Sequence, residues 1–167
     1  VTYIGKHPDL PDEPPNPNHK PGQGGPNETL QRLYRNSDPS MYTYMSEMAD
    51  VLKEYKDRFM VTEDYVSRHN PVDRYLEYYE KVDPAVCAPF SFENFDFMMA
   101  QTATDYKQFY DAYLAAMKPD YVPTTVLGNH DQSRAATRMG RIAARAAAVM
   151  QLTLPGMAFI YNGEELG

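Results

Sequence analysis

The sequence TTVLGNHDQ at residues 124–132 joins a β-branched, apolar run to a strongly polar one. Threonine and valine favour strands, so residues 124–127 are predicted to form a short strand. Residues 132–151 then carry apolar side chains at helical spacing, which predicts a helix. Its expected apolar face consists of Met139, Ile142, Ala146, Val149 and Met150. A strand followed at once by a helix is the repeating unit of a parallel α/β sheet.

The same alternation occurs along most of the chain. Further strands are predicted at residues 59–62, 86–92 and 157–161, and further helices at 41–55, 71–79 and 94–117. Asn70 and Pro71 suit the N-cap and first position of the second of these helices, and Lys118-Pro119 would end the third. In the first helix an apolar stripe is expected in the core: Met41, Met45, Met48, Leu52 and Tyr55.

The spacing between the polar residues that follow the predicted strands indicates the architecture. Glu63 and Asp131 each follow a predicted strand, with one further strand between them, so each strand–helix unit takes about 34 residues. A (β/α)8 TIM barrel of roughly 250 residues uses about 31 residues per unit. A TIM barrel is therefore preferred, with a doubly wound sheet as the alternative. Four strands cannot close an eight-stranded barrel, so the chain is expected to be its second half, a partial barrel with four parallel strands.

Residues 5–29 form a different kind of segment within this expected barrel fragment, which extends over residues 1–167. They contain seven of the chain's 14 prolines, among Asn, Asp, Gly and Lys. Proline fixes φ and lacks a backbone donor, so an extended loop without helix or β ladder is predicted.

Composition excludes several classes of protein. The 167 residues carry a formal charge of −7, so no nucleic-acid partner, which needs a basic surface, is expected. Cys87 is the only cysteine, so there is no intramolecular disulfide, and its apolar surroundings predict inert packing. No apolar run approaches the roughly 20 residues that span a bilayer, so no membrane segment is expected. No signal peptide is visible, and a cytoplasmic location is expected.

Ionisable side chains crowd two predicted strand ends. Glu63 follows one apolar strand, and Asn129, His130 and Asp131 follow another. The carboxyl ends of parallel strands share one rim, so the two carboxylates are expected to converge, as in enzymes that hydrolyse glycosides. Three alternatives stay open: a solvated Glu63, a core histidine at 130, and Asp131 as the N-cap of the next helix. Neither a metal site nor a cofactor is expected, because the other histidines lack partners at ligand spacing.

The polar segment Val126–Arg134 resembles the "NHD" region of the α-amylase superfamily, family 13 of the glycoside hydrolases. It is most similar to the branch of α-glucosidases and oligo-1,6-glucosidases. Phe59–Tyr65 resembles the family's strand that ends in the acid/base glutamate, and Ala88–Phe92 its "PFNF" strand. Leu152–Gly167 resembles its last-strand motif, and Lys6–Pro17 the loop after its nucleophile strand. The resemblance covers essentially the whole chain.

The resemblance implies roles for individual residues. Glu63 would be the general acid/base, Asp131 the transition-state stabiliser, and His130 a hydrogen-bonding partner of the same glucose unit. Arg134 also matches, with a salt bridge as its alternative. The residues implied to bind substrate are His130, Asn129, Arg134 and Phe90. Thr62 replaces the family's usual glycine, and Ser91 its asparagine.

The resemblance further implies that the parent protein is a retaining α-glucosidase, which cleaves terminal α-linked glucose from disaccharides or short oligosaccharides. The family's nucleophilic aspartate is expected just before Val1, so residues 1–167 alone are expected to be inactive. Two alternatives remain. One is a transglycosylase or isomerase of the same superfamily, such as a sucrose isomerase or trehalose synthase. The other is a non-catalytic, α-glucosidase-like ectodomain, which need not keep the carboxylates.

Overall fold

The computed structural model describes residues 4–20, 29–31, 34, 38–63, 71–92 and 102–166, without the side chains of Pro71 and Arg74. The chain divides into two compact units, Val1–Arg58 and Phe59–Gly167. Within the described ranges, none of the helices combines the length and apolarity needed to cross a bilayer.

The first unit contains helix α1, Ser40–Lys53. Met41 and Met45 are fully buried, as predicted, but Met48 is exposed and Ala49 continues the buried face instead. The expected stripe is therefore right only for its first two turns. The chain near Gly5 packs against the start of the helix, where an added Cβ on Gly5 would lie 2.5 Å from the Met41 nitrogen. Gly5 therefore lies directly against the first turn of α1.

The proline-rich loop of the first unit has one β-bridge, between Pro15 and Leu30. Asn16 N donates to Thr29 O at 2.9 Å, and Gln31 N donates to Pro14 O at 2.8 Å. Pro15 supplies no donor, and the bridge needs none from it. An isolated bridge is not a ladder, so the extended loop stays a prediction, and residues 21–28 lie outside the described residues.

The second unit alternates strands and helices in the predicted order. Its elements are β1 Met60–Thr62, α2 Pro71–Lys81, β2 Cys87–Pro89, α3 Ala103–Ala116, β3 Thr124–Val126, α4 Ala135–Met139, α5 Arg141–Thr153, β4 Met157–Phe159 and a 3-10 helix, Glu164–Leu166. The described strands are shorter than predicted, while α2 begins at the expected proline. Its expected N-cap, Asn70, lies outside the described residues.

Helix α3 begins later than the sequence predicts. Thr102 has an extended backbone and forms a capping box with Asp105, which marks a helix start. A continuous helix over residues 94–117 is therefore wrong, although residues 94–101 lie outside the described part of the chain. The predicted end is correct to within one residue, since Met117 is the C-cap.

The four strands form two parallel pairs, β1 with β2 and β3 with β4. A buried hydroxyl joins the pairs, because Thr124 Oγ1 donates to Pro89 O at 2.7 Å and accepts from Ser91 N at 2.8 Å. The parallel α/β class is thereby confirmed. Burial raises the pKa of the Cys87 thiol in β2 to about 12, so the thiol stays protonated at neutral pH.

Tyrosine side chains form much of the core between the helices and the strands. Tyr75 and Tyr113 are fully buried and their ring centroids are 5.4 Å apart. Tyr79 stacks on Tyr121 with centroids 4.6 Å apart, and its hydroxyl donates to Val122 O at 2.5 Å. Each buried ring adds apolar contact, while the bonded hydroxyl of Tyr79 avoids the cost of an unpaired polar atom.

The predicted helix over residues 132–151 is interrupted and is rotated relative to the expected face. Gly140 has φ +82° and separates α4 from α5. Ile142 is 88% exposed, Val149 is 63% exposed and Ala146 is also exposed, so these three members of the expected apolar face are wrong.

The buried side of α5 is set by Gln151. Its Nε2 donates to Thr125 O at 3.1 Å and to Phe159 O at 2.8 Å, which joins β3 to β4. Because the Gln151 amide bonds to both strand carbonyls, the side of α5 that carries Gln151 faces inward. Ala147 lies on the same side.

Two glycines allow backbone strain to be separated from steric overlap. Gly140 has open space around an added Cβ, whereas on Gly156, with φ +110°, an added Cβ would lie 2.1 Å from Pro123 O. We expect Gly140→Ala to lower the free energy of unfolding by about 1–3 kcal/mol through backbone strain. Gly156→Ala should lower the free energy of unfolding by about 1–3 kcal/mol more than Gly140→Ala does, because the Pro123 backbone must move. Equilibrium denaturation measures both, and equal losses would contradict the overlap.

Candidate active site

Contacts link the carboxyl ends of the strands across the two parallel pairs. Phe90 follows β2, and its backbone nitrogen donates to Thr62 O, at the end of β1, at 2.9 Å. The Phe90 ring packs edge-on against the ring of Phe159, at the end of β4, and the two ring centroids are 4.7 Å apart. Phe92 packs against both Phe90 and Val126, which ends β3. An aromatic cluster therefore connects the ends of β2, β3 and β4, and a backbone bond adds the end of β1.

Glu63 follows directly after Thr62, the last residue of β1. Its side chain is exposed, which agrees with the alternative of a solvated carboxylate as well as with a site open to a ligand. A general acid is held protonated most readily in a partly desolvated pocket. The described residues of this chain do not provide that cover. Residues 64–70 lie outside the described part.

Asn129, His130 and Asp131 form an open polar cluster after β3. Asn129 Oδ1 accepts from Asp131 N at 3.0 Å, a turn typical of asparagine. His130 Nε2 lies 3.5 Å from Asp131 Oδ1, and the two side chains are 73% and 49% exposed. The alternative of a buried core histidine is therefore wrong.

Asp131 does not cap the helix that follows. Helix α4 begins at Ala135, its N-cap is Arg134, and no side chain bonds to that cap. The capping alternative is therefore wrong. The Asp131 carboxylate stays on the loop, beside His130.

Arg134 contacts the segment after β4. Its Nη1 donates to Asn162 O at 2.5 Å, and its guanidinium lies 4.8 Å from the centre of the Tyr161 ring. This cation–π contact and the hydrogen bond join the loop after β3 to the loop after β4. The guanidinium thus has a structural role, and its predicted contact with substrate stays a prediction.

Two charged residues of this region were missed by the sequence analysis. Arg138 donates from Nε to Ser133 O at 2.9 Å and from Nη2 to Leu127 O. Glu164 is partly buried, and burial raises its pKa, against the opposing effects of its bond from Tyr161 and of the nearby arginines. The Arg138 contacts are to backbone oxygens, which leave no signal in the sequence. The doubled Glu after β4 was a signal that could have suggested Glu164.

A cavity of about 930 Å³ lies between α4, α5 and the turn after β4. Arg134 lines it, but the other predicted site residues, Glu63, Phe90, Asn129, His130 and Asp131, do not. The predicted carboxylates thus follow the ends of strands and do not line this cavity.

Comparisons with known proteins agree with the sequence resemblance. The family "Alpha amylase, catalytic domain" matches residues 1–167. "Maltase 1" of Drosophila virilis is 32% identical over 100% of this chain and 27% of its own length. "Alpha-glucosidase" of Apis mellifera is 32% identical over 85% of this chain and 24% of its own length. The chain thus spans about a quarter of the length of these curated relatives.

Two solved structures of other enzymes are also similar to this chain. The trehalulose synthase MutB from Pseudomonas mesoacidophila MX-45 matches with a TM-score of 0.60 and 26% identity, over 78% of this chain and 26% of that one. An alpha-amylase from H. orenii matches with a TM-score of 0.58 and 27% identity, over 74% of this chain and 26% of that one. The resemblance predicted from the sequence is confirmed, and the chain belongs to the alpha-amylase catalytic-domain family.

Proposed function

We propose that the whole protein to which this chain belongs is a retaining α-glucosidase that removes terminal α-linked glucose from disaccharides or short oligosaccharides. The main structural support is that Glu63 follows β1 and the loop 128–132 follows β3, and that the Phe90–Thr62 hydrogen bond and the aromatic cluster link the carboxyl ends of the strands. The names of the similar curated proteins, a maltase and an α-glucosidase, support the substrate class.

The carboxylates of Glu63 and Asp131 have different roles in the proposed reaction. Glu63 protonates the leaving oxygen and then activates water, while Asp131 stabilises the positive charge on the sugar. His130 and Asn129 hydrogen-bond hydroxyls of the same glucose, and Phe90 lines the sugar site beside Glu63. A retaining enzyme also needs a nucleophile. We assign it to a residue outside these 167, so the chain alone should not hydrolyse glucosides.

The exposure of Glu63 fits a partial barrel. The four strands represent roughly the second half of a (β/α)8 barrel, and loops from the remaining strands would cover the shared rim. That cover would raise the pKa of Glu63 and keep it protonated, as its role as an acid requires. The proposed mechanism therefore belongs to the whole protein.

A second function is favoured by the solved structures. Several are of MutB, including an inactive double mutant in complex with isomaltulose. An isomerase would use the same carboxylates but return the glucosyl group to a sugar hydroxyl in place of water. The two functions therefore differ in their products and not in the residues of this chain.

Product analysis distinguishes the candidates. The full-length protein is incubated separately with maltose and with sucrose, and all sugars are quantified over time. We expect free glucose as the main product from maltose. Conversion of sucrose into isomers, with little free hexose, would favour the isomerase instead. No product from either sugar would contradict both enzymes and favour the non-catalytic ectodomain.

A further inference from the structure

One side chain contacts both ends of the loop that carries Asn129, His130 and Asp131. Arg138, on α4, donates from Nη2 to Leu127 O, directly after β3, and from Nε to Ser133 O at 2.9 Å. The loop between these two carbonyls consists of residues 128–132. A planar guanidinium has several donors in a fixed arrangement, so it can hold two acceptors at a defined separation.

The environment of Arg138 strengthens these bonds. The residue is half-buried, and burial lowers its pKa, whereas Glu164 and Tyr106 raise it. An arginine stays charged despite such a shift. Its hydrogen bonds are therefore charge-assisted and weakly screened by solvent, which makes them stronger than neutral ones.

Glu164 closely approaches the first residue of the same loop. Its Oε2 accepts from Tyr161 N at 2.9 Å, which fixes the carboxylate after β4. Its Oε1 is buried, has no hydrogen-bond partner among the described residues, and lies where a side chain on Gly128 would begin, 2.1 Å from an ideal Cβ. The first residue of the loop therefore has to be small for this packing.

From this arrangement we propose that Arg138 is a positioning residue: it fixes both ends of the loop 128–132, and so the position of Asp131 after β3, with Glu164 as its counter-charge. The part of this inference that concerns catalysis rests on the proposed function. Asn129 Oδ1 already restrains Asp131 N inside the loop at 3.0 Å. Restraint at the ends and within the loop leaves the carboxylate little freedom, as a group that must meet a transition state requires.

The test uses the full-length protein with Arg138→Met, Arg138→Lys and a control, Arg145→Met, in which an exposed arginine of α5 is changed. Lysine keeps the charge but loses the fork that bonds two carbonyls. Hydrogen exchange of the amides of residues 128–133 is measured, together with kcat and KM for maltose. For both Arg138 variants we expect exchange roughly tenfold faster, kcat lower by about 10- to 100-fold, and KM changed by less than about threefold.

The control should match the parent protein in every measurement. Parent-like exchange in both Arg138 variants would overturn the inference, and so would a faster-exchanging loop with unchanged kcat. If Arg138→Met does not fold, Arg138→Lys decides by the same criteria. If the parent protein turns over no maltose, the proposed function fails, while exchange still decides whether Arg138 fixes the loop.

Discussion

Glu63→Gln in the full-length protein is expected to lower kcat/KM for maltose by about 10³-fold. Glutamine keeps the size of the side chain but has no proton to give to the leaving oxygen, and general acid–base catalysis contributes typically 10²–10⁴-fold. Steady-state release of glucose measures the loss. The matched control is Glu47→Gln, an exposed glutamate of α1 that should leave turnover unchanged.

The leaving group offers a second check on Glu63. An aryl α-glucoside with a strongly acidic phenol needs little protonation to depart, so its first turnover should fall far less than that of maltose. A loss of equal size with both substrates would indicate that the substitution has damaged binding or folding. Unchanged turnover of maltose would remove Glu63 from the mechanism.

Asp131→Asn is expected to lower kcat for maltose by about 10²–10³-fold, the usual size of a lost electrostatic contact to the transition state. Its cost in stability should be within about 0.5 kcal/mol, because the side chain is about half exposed and does not cap α4. The backbone nitrogen of residue 131 keeps its bond to Asn129. Kinetics and equilibrium denaturation together separate the two effects.

The control for this change is Asp120→Asn, an exposed aspartate in the turn before β3. It should match the parent protein in both measurements. A variant at position 131 that unfolds more easily but keeps its kcat would show that Asp131 stabilises the loop and takes no part in the reaction.

The sequence predicted the order of the elements because apolar runs and turn residues mark them locally. It also predicted that Glu63 and Asp131 follow strands, since each strand ends where polar side chains begin. Helix α5 was less predictable. Its alanines suit several faces, and the inward face follows from two strand carbonyls that Gln151 satisfies.

The side chains that hold the site in place could not be predicted from the sequence for a similar reason. Arg138 binds backbone oxygens of Leu127 and Ser133, and any residue supplies such an oxygen. Which of Glu164 and Glu165 turns inward depends on the 3-10 helix that contains both. Sequence patterns thus identify groups that could react more readily than the groups that hold them.

A crystal structure of full-length Glu63→Gln with bound maltose tests the central claim most directly. We expect the side-chain amide of residue 63 within about 2.6–3.2 Å of the glycosidic oxygen. We also expect Asp131 oxygens bonded to hydroxyls of the glucose on the non-reducing side of that bond. Maltose bound elsewhere, or residues 63 and 131 too far apart to contact one glucose ring, would contradict the claim.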